Sequence, residues 1–254
     1  MRRPIVAGNW KMNLLVDDAV SLVEELKRLL ADVPDVEIVI CPPYTALYPV
    51  GQAVEGSAIA LGGQDCYLVE NGAYTGEISP YMLIDAGCSW TIVGHSERRR
   101  HFNETDEFLN RKLKFALSSG LKVIFCLGET LEEREKGEMD EVLRRQVRKG
   151  LDGLDEADFE RLVIAYEPVW AIGTGLTATP EQAEEAHGFV RALVRERYSE
   201  TISNGLRIQY GGSVKPENAG ELMERENVDG ALVGGASLKP DSFAAIVMAG
   251  VVAA

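Results

Sequence analysis

The chain has 254 residues, of which 46% are hydrophobic and 26% charged, a composition typical of soluble globular proteins. Its 26 Lys and Arg residues against 40 Asp and Glu residues give a formal net charge of −14 at pH 7. This acidic balance argues against nucleic-acid binding and against a polybasic membrane-binding patch, since both need a basic surface. It also predicts repulsion of anionic small molecules, unless the local field at a binding site is favourable.

The four cysteines are far apart in the chain, with gaps of 25, 22 and 38 residues between Cys41, Cys66, Cys88 and Cys126. This spacing argues against a zinc site, a redox pair and a disulfide framework, and we predict buried thiols. The apolar run at residues 5–7 is too short for the core of a signal peptide, and no stretch approaches the roughly 18 apolar residues of a membrane span. We therefore expect a cytoplasmic protein with no membrane partner.

Short apolar runs recur along the chain and alternate with amphipathic stretches. Near-continuous apolar runs of this length are typical of parallel strands that are buried on both faces. The predicted strands cover residues 5–7, 36–41, 58–61, 90–93, 123–127, 162–166, 206–210 and 228–233. Residues 17–30 and 181–198 carry apolar side chains at helical spacing, and Thr179-Pro180 offers an N-cap followed by Pro at the first helical position.

This alternation predicts an α/β fold in which eight parallel strands form a (β/α)8 barrel with an outer ring of helices. A doubly wound sheet is the competing architecture, but it normally shows an early glycine-rich dinucleotide turn. The first strand here ends in Gly8-Asn9-Trp10-Lys11, which is not that motif. Since no linker or low-complexity tract divides the chain, we expect residues 1–254 to form a single domain.

In parallel α/β folds the active site lies at the carboxyl ends of the strands. This rule selects polar side chains and glycine-rich turns that follow the predicted strands and meet at one rim. They are Asn9 and Lys11, Gly62 to Asp65, Gly94 to Glu97, Gly128-Glu129, Glu167-Pro168, Gly211 to Ser213, and Gly234-Gly235.

The glycine turns after strands six, seven and eight fit a phosphate. Glycines expose backbone N–H groups to a ligand, and oriented N–H groups bind anions. For any single Gly-Gly pair, a tight turn without a ligand is the alternative. Because glycine turns follow three successive strands, we favour phosphate binding for residues 173–175, 211–213 and 234–235. The excess acid is then expected on the outer helices, away from this rim.

Three side chains at the rim fit proton-transfer chemistry. Glu167 follows a strand of five apolar residues, where burial makes a carboxylate more basic, and the alternative is a salt-bridged rim residue. A histidine such as His95 is alone more often a core residue than a catalyst, but this one shares the rim with Glu167 and with Lys11. Ser96 next to His95 does not form a nucleophile pair, since adjacent side chains point apart and no G-x-S-x-G motif exists.

The segment directly after Glu167 is apolar, with Val169, Trp170 and Ile172 before the glycines of residues 173–175. Exposed apolar side chains in a permanently open loop are unfavourable, so we predict a lid that closes over bound ligand. The alternative is a loop that packs permanently on the rim.

Four motifs in this order resemble the triosephosphate isomerase family, and the resemblance covers essentially the whole chain. The motifs are Gly8-Asn9-Trp10-Lys11-Met12-Asn13, Gly94-His95-Ser96-Glu97-Arg98-Arg99, residues 165–175 (AYEPVWAIGTG) and Tyr210-Gly211-Gly212-Ser213-Val214. The family has the (β/α)8 fold known as the TIM barrel. The resemblance implies the interconversion of dihydroxyacetone phosphate and D-glyceraldehyde 3-phosphate, a reaction of glycolysis and gluconeogenesis.

The resemblance also implies a role for each site residue. Glu167 would move a proton between neighbouring carbons, and neutral His95 would donate to the enediolate oxygens. Lys11 would supply positive charge, Asn9 a further donor and Glu97 a supporting carboxylate. The phosphate would bind backbone N–H groups of residues given by the same resemblance: Gly173, Ser213, Gly234 and Gly235. Closure of the lid would exclude water, and no metal or organic cofactor is needed.

The stretch 71–77 resembles the family's dimer loop, so the resemblance implies a homodimer in which Thr75 inserts near the partner's active site. As sequence alone, this stretch is an exposed polar loop. The chain departs from the family at the end of the lid, where Leu176-Thr177-Ala178 stands in place of the frequent Lys-Thr-Ala. This difference is expected to affect the kinetics of lid motion rather than the chemistry.

Two alternatives remain at the level of the sequence. A Schiff-base aldolase on a phosphate-binding barrel needs a lysine at a strand end, and Lys11 is the obvious candidate. A catalytically inactive phosphate-binding barrel needs no carbon base, so the complete set of Asn9, Lys11, His95 and Glu167 argues against it.

Overall fold

A computed structural model describes residues 2–33, 35–172 and 177–253, and in it eight parallel strands close into a barrel. Each strand pairs with the next in chain order, and the last pairs with the first. The strands are Ile5–Asn9 (β1), Glu37–Cys41 (β2), Ile59–Gly63 (β3), Trp90–Val93 (β4), Lys122–Leu127 (β5), Leu162–Tyr166 (β6), Arg207–Tyr210 (β7) and Gly230–Val233 (β8). The predicted (β/α)8 barrel is confirmed, and a doubly wound sheet is excluded because it has two open edges.

Helices surround the barrel, and those predicted at residues 17–30 and 181–198 are present within one residue at each end. They are Val16–Leu29 (α1), Leu47–Val54 (α2), Pro80–Asp85 (α3), Ser96–Phe102 (α4), Asp106–Ser118 (α5), Leu131–Glu135 (α6), Met139–Gly150 (α7), Pro180–Arg197 (α8), Glu200–Gly205 (α9), Pro216–Met223 (α10) and Pro240–Ala253 (α11). Short 3-10 helices cover Tyr44–Ala46, Glu156–Arg161, Val169–Ala171 and Gly235–Leu238. No helix in the described part of the chain is both long and apolar enough to cross a membrane.

The start of α8 shows why the sequence signal for it was clear. The hydroxyl of Thr179 accepts a hydrogen bond from the N–H of Gln182 at 3.2 Å. The side-chain oxygen of Gln182 in turn accepts from the N–H of Thr179 at 2.9 Å. This reciprocal pair is a capping box, and Pro180 occupies the first helical position, as predicted.

In most strands, alternate residues belong to two apolar layers, one inside the barrel and one beneath the helices, whereas β7 places Arg207 and Gln209 between its apolar residues. In β1, for example, Ile5 and Ala7 face the interior, whereas Val6 packs in the outer layer. Both layers exclude water, which is why the strands read as continuous apolar runs. The predicted burial of the thiols is confirmed: Cys41 and Cys126 lie inside the barrel, and Cys66 and Cys88 lie in the outer layer.

A buried group of charges lies between the end of β3 and helix α5. The ammonium of Lys112 is 2.6 Å from an oxygen of Asp65 and 2.8 Å from Glu104 Oε1. Arg98 Nε contacts the same two carboxylates at 2.9 and 2.8 Å. The side chain of Lys112 has 1% of its surface exposed, so these contacts replace its hydration almost completely.

The variant Lys112→Met is expected to lower the free energy of unfolding by about 3 kcal/mol, because two buried carboxylates then share Arg98 alone. Urea unfolding at fixed protein concentration measures this loss. The matched control is Lys149→Met, which removes an exposed contact of 2.8 Å to Glu107 and is expected to cost less than about 1 kcal/mol. Equal losses in the two variants would contradict the importance of burial.

The imidazole of His187, on α8, is fully buried behind β6 and β7. Its ring packs edge-on against Tyr166, with 5.7 Å between the ring centroids, and lies 6.3 Å from the ring of Tyr210. Nδ1 is 3.1 Å from the carbonyl oxygen of Asn227. Burial lowers the pKa of His187 from 6.5 to about 3, so the folded chain holds this imidazole neutral.

His187 is expected to make the fold sensitive to acid. Its stabilising contribution is complete above pH 6.5 and is lost as the pH falls towards 3, because the unfolded imidazole takes up a proton that the folded one excludes. Between pH 7 and pH 5 this amounts to about 2 kcal/mol. In urea unfolding at both pH values, His187→Gln should remove that part of the pH dependence. His101→Gln, at an exposed position, serves as the control for replacing a histidine by glutamine.

Candidate active site

A cavity of about 640 Å³ opens at the carboxyl ends of the strands. Six of the nine predicted site residues line it: Asn9, Lys11, His95, Ser213, Gly234 and Gly235. Glu97 and Glu167 do not line the cavity but contact the side chains of Lys11 and His95 that do. The ninth, Gly173, lies outside the described residues.

The backbone of Lys11 has a left-handed conformation, with φ of 53°, which is unfavourable for a residue other than glycine. Two side-chain amides hold it there. The N–H of Lys11 donates to Asn9 Oδ1 at 3.0 Å, and Gln64 Nε2 donates to the carbonyl of Lys11 at 2.8 Å. Because its oxygen is engaged in this way, the amide of Asn9 has its NH2 group available as a donor.

The ammonium of Lys11 lies 2.6 Å from Glu97 Oε1. Glu97 is therefore close to Lys11, as predicted, and its Oε2 is also 3.6 Å from His95 Nδ1. The amine of Lys11 is thus held in an ion pair with Glu97, whereas Schiff-base chemistry needs an amine that is free to attack a carbonyl carbon. The contact disfavours the aldolase alternative.

His95 ends the turn after β4 and caps α4. Its Nδ1 accepts a hydrogen bond from the N–H of Glu97 at 3.2 Å, which places the ring proton of the neutral imidazole on Nε2. Nε2 is 3.0 Å from Glu167 Oε1. Burial lowers the pKa of His95, but the carboxylate of Glu167 raises it by more, and the net shift is upward. This upward shift depends on contact with Glu167, so it is lost when that carboxylate moves away.

The carboxylate of Glu167 is almost completely buried at the end of β6. It accepts from the N–H of Ser96 at 2.9 Å and from the Ser96 hydroxyl at 3.2 Å, in addition to the contact with His95. Burial raises the pKa of Glu167, whereas His95 and Ser96 lower it, and the net shift is downward. The expectation of a more basic carboxylate is thus wrong for this conformation, because sequence reveals the burial but not the donors.

Ser96 and Gln64 are two side chains at the site that sequence reasoning missed. The expectation that Ser96 and His95 point apart is wrong, since both donate to Glu167. The signal for Ser96 was its place at the first turn of α4, where backbone N–H groups lack partners within the helix and bind carboxylates. Gln64 was noted at the end of its strand, but nothing in the local pattern of residues indicated that its amide would reach Lys11.

The two glycine pairs of the rim differ in what surrounds them. A Cβ atom at Gly211 would approach Glu167 Cγ to 2.9 Å, and one at Gly212 would approach the Tyr210 hydroxyl to 2.2 Å. Packing within the protein therefore explains this pair. Among the atoms of the described residues, a Cβ at Gly234 would meet only the Lys11 side chain, at 3.5 Å, and one at Gly235 would meet none within 4 Å. The backbone of this second pair is open to the cavity.

The beginning of the predicted lid packs on the rim. Trp170 Nε1 donates to Glu129 Oε1 at 2.8 Å, and the hydroxyl of Tyr166 donates to the same oxygen at 3.0 Å. Ala171 is buried, and Ile172 lines the cavity. The described part, residues 168–172, therefore corresponds to the alternative of a packed loop. The predicted lid glycines and the departure at Leu176 fall within residues 173–176, outside the described part.

The fold and this arrangement define a (β/α)8-barrel protein with a carboxylate, an imidazole and an ammonium group converging at the carboxyl ends of its strands. A family profile described as triosephosphate isomerase matches residues 4–250. The chain belongs to this family.

Relatives over the full length carry the same name. A triosephosphate isomerase of Geobacter metallireducens is 57% identical over 97% of this chain and 98% of its own. One from Carboxydothermus hydrogenoformans is 55% identical over the same shares. One from Dictyoglomus thermophilum is 51% identical over 97% of this chain and 99% of its own.

Proposed function

We propose that this protein interconverts dihydroxyacetone phosphate and D-glyceraldehyde 3-phosphate by proton transfer through an enediolate. The observation that carries the proposal is the contact between His95 Nε2 and Glu167, beside a cavity that Asn9 and Lys11 also line. A protein that only binds phosphate needs no buried carboxylate next to an imidazole.

Glu167 is the base in this proposal. In the conformation described, three donors stabilise its carboxylate and weaken it as a base. Bound substrate would replace His95 as the neighbour of Glu167, because the substrate oxygens compete for the proton on Nε2. The carboxylate then takes a proton from one carbon and returns it to the next.

Neutral His95 donates from Nε2 to the oxygens on which negative charge develops. Lys11 supplies a positive charge, Asn9 donates through its NH2 group, and Glu97 holds the ammonium of Lys11 in place. These groups are oriented before the substrate binds, so little reorganisation is needed as charge develops. Protein groups carry every step, and the proposal requires no metal or organic cofactor.

Backbone N–H groups of Ser213, Gly234 and Gly235, together with Gly173, bind the phosphate in this proposal. The open backbone at Gly234 and Gly235 supports it, because the one described side chain that a Cβ there would meet is Lys11, which is itself assigned to substrate binding. A 3-10 helix begins at Gly235, and the N-terminus of a helix favours an anion.

A coupled assay with D-glyceraldehyde 3-phosphate and the purified protein tests the function, and absence of turnover would refute it. Borohydride reduction in the presence of dihydroxyacetone phosphate tests the aldolase alternative separately. A stable adduct on Lys11 would favour that alternative, and an unmodified protein with full turnover would exclude it.

A homodimer formed through the loop around Thr75 is part of the proposal. Exposed apolar side chains support it, since Met12, Leu15 and Phe102 have 95%, 79% and 64% of their surface exposed. Met12 belongs to the motif that contains Lys11 and Leu15 follows this motif, so the partner's loop would cover the region next to the site. Analytical ultracentrifugation of Thr75→Arg should show monomers with reduced turnover, while an active monomeric wild type would refute the dimer.

We also propose that residues 1–254 form one domain and that the protein acts in the cytoplasm. The closed barrel, in which β8 pairs with β1, supports the first statement. A single cooperative unfolding transition by fluorescence and circular dichroism would test it, and cell fractionation would test the second.

A further inference from the structure

Two lysines stand on the outer rim of the cavity, away from the residues proposed for chemistry. Lys215 and Lys239 are exposed, and both line the cavity. Neither has a carboxylate within 4 Å among residues 2–33, 35–172 and 177–253. Elsewhere in this acidic chain, lysines such as Lys112, Lys122 and Lys149 lie close to carboxylates.

Lys215 and Lys239 supply the positive charge of the cavity that the described carboxylates do not offset. Lys11 also lines the cavity, but Glu97 offsets its charge at 2.6 Å. Glu217 is the one carboxylate among the lining residues that the structure describes. The outer rim therefore carries two unpaired ammonium groups against one carboxylate, although the whole chain has a net charge of −14.

The positions of both lysines are unfavourable for the fold. Lys215 directly precedes α10, and Lys239 directly precedes α11. The N-terminus of a helix carries a partial positive charge, which favours acidic rather than basic side chains. Each helix has one acid in its first turn, Glu217 or Asp241, yet neither forms an ion pair with the lysine before it. A local electrostatic conflict of this kind is expected at functional positions.

We propose that Lys215 and Lys239 attract the dianionic phosphate of the substrate to the cavity and thereby raise kcat/KM. The inference rests on the proposed function, and it concerns the encounter with substrate rather than the chemical step. The two lysines offset the repulsion that the net charge of the chain exerts on an anion. They are steering residues, because they lie on the rim and do not need to touch the reacting atoms.

The size of the effect follows from Coulomb's law. For a dianion about 8 Å from one ammonium group in water, the attraction is equivalent to roughly a threefold increase in local concentration at low ionic strength. Two lysines together are then expected to contribute about tenfold at 10 mM salt. At about 0.5 M salt the screening length is only about 4 Å, and the contribution should disappear.

The experiment measures kcat/KM between 10 mM and 0.5 M salt for Lys215→Met, Lys239→Met and the double variant. The double variant should lose about tenfold at low salt and match the wild type at high salt, with kcat unchanged throughout. Glu217→Gln should act in the opposite direction and raise kcat/KM at low salt. Lys114→Met is the matched control, since Lys114 lies on α5, does not line this cavity and should leave the salt dependence unchanged.

Replacing both lysines by Arg keeps the two positive charges but changes the shape of the side chains. If charge is what matters, this variant should keep the wild-type salt dependence. Calorimetric binding of glycerol 3-phosphate, which does not isomerise, tests the inference without turnover. Its affinity for the double variant should fall about tenfold at 10 mM salt and be unchanged at 0.5 M. If the wild type binds this phosphate but shows no isomerase activity, the proposed function fails while the calorimetry still tests the lysines. A double variant with wild-type salt dependence in both measurements would overturn the inference.

Discussion

Glu167→Gln is expected to lower kcat by about a thousandfold or more, because an amide cannot accept a proton from carbon and general bases typically contribute 10²–10⁴-fold. Binding of glycerol 3-phosphate should change by less than about threefold, since the base and the phosphate contacts are separate parts of the site. Steady-state kinetics and calorimetry on the same preparation measure the two quantities.

The structure identifies a complication of this variant and a way to control it. The amide of Gln places an NH2 group where Glu167 now accepts from Ser96 and His95, so the side chain will reorient. Thermal unfolding therefore accompanies the kinetics, and Glu160→Gln, at an exposed position, serves as the control for the substitution itself. If binding of the phosphate is lost together with turnover, the proposed separation of roles is wrong.

The strands and the main site residues could be predicted because their signals are local. A parallel strand buried on both faces appears as a short apolar run, and the residue after it lies at the mouth of the barrel. Lys11, His95 and Glu167 were found in this way, and six of the nine predicted residues line one cavity.

What could not be predicted depends on contacts between residues far apart in the chain. Ser96 and Glu167 are separated by 71 positions, and Gln64 and Lys11 by 53. Nothing in the local pattern shows that these side chains meet, so neither contact could be anticipated. The direction of the pKa shift of Glu167 could not be predicted for the same reason. An apolar run indicates burial, which raises the pKa, but it does not reveal the donors from another loop, which lower it.

Lys112 gives a third example, from the core rather than the site. A lysine in an amphipathic helix is ordinarily assigned to the solvent-exposed face. Here the side chain is buried because Asp65 and Glu104 arrive from other segments to surround it. Hydrophobic patterning therefore predicts the positions of buried charged residues least well, although such residues stabilise both the site and the fold.

Lys11→Met is expected to impair binding and turnover together, unlike Glu167→Gln. The ammonium of Lys11 lies at the cavity before substrate binds, so it stabilises both the bound phosphate ester and the enediolate. We expect about 100-fold weaker binding of glycerol 3-phosphate and a loss of kcat/KM of about a thousandfold or more, because a preorganised group typically contributes 10²–10³ to the reaction itself.

The carboxylate of Glu97, which pairs with Lys11, contributes to the expected effect of Lys11→Met. Removal of the ammonium leaves the carboxylate of Glu97 unpaired beside an anionic substrate, and this repulsion adds to the loss. The double variant Lys11→Met with Glu97→Gln removes that carboxylate charge, so it should recover part of the binding but little of the turnover. Lys27→Met, on α1, is the control for loss of one positive charge from the chain. Unaltered affinity in Lys11→Met would mean that phosphate binding relies on the backbone N–H groups and the rim lysines alone, and that Lys11 acts only on the developing charge of the intermediate.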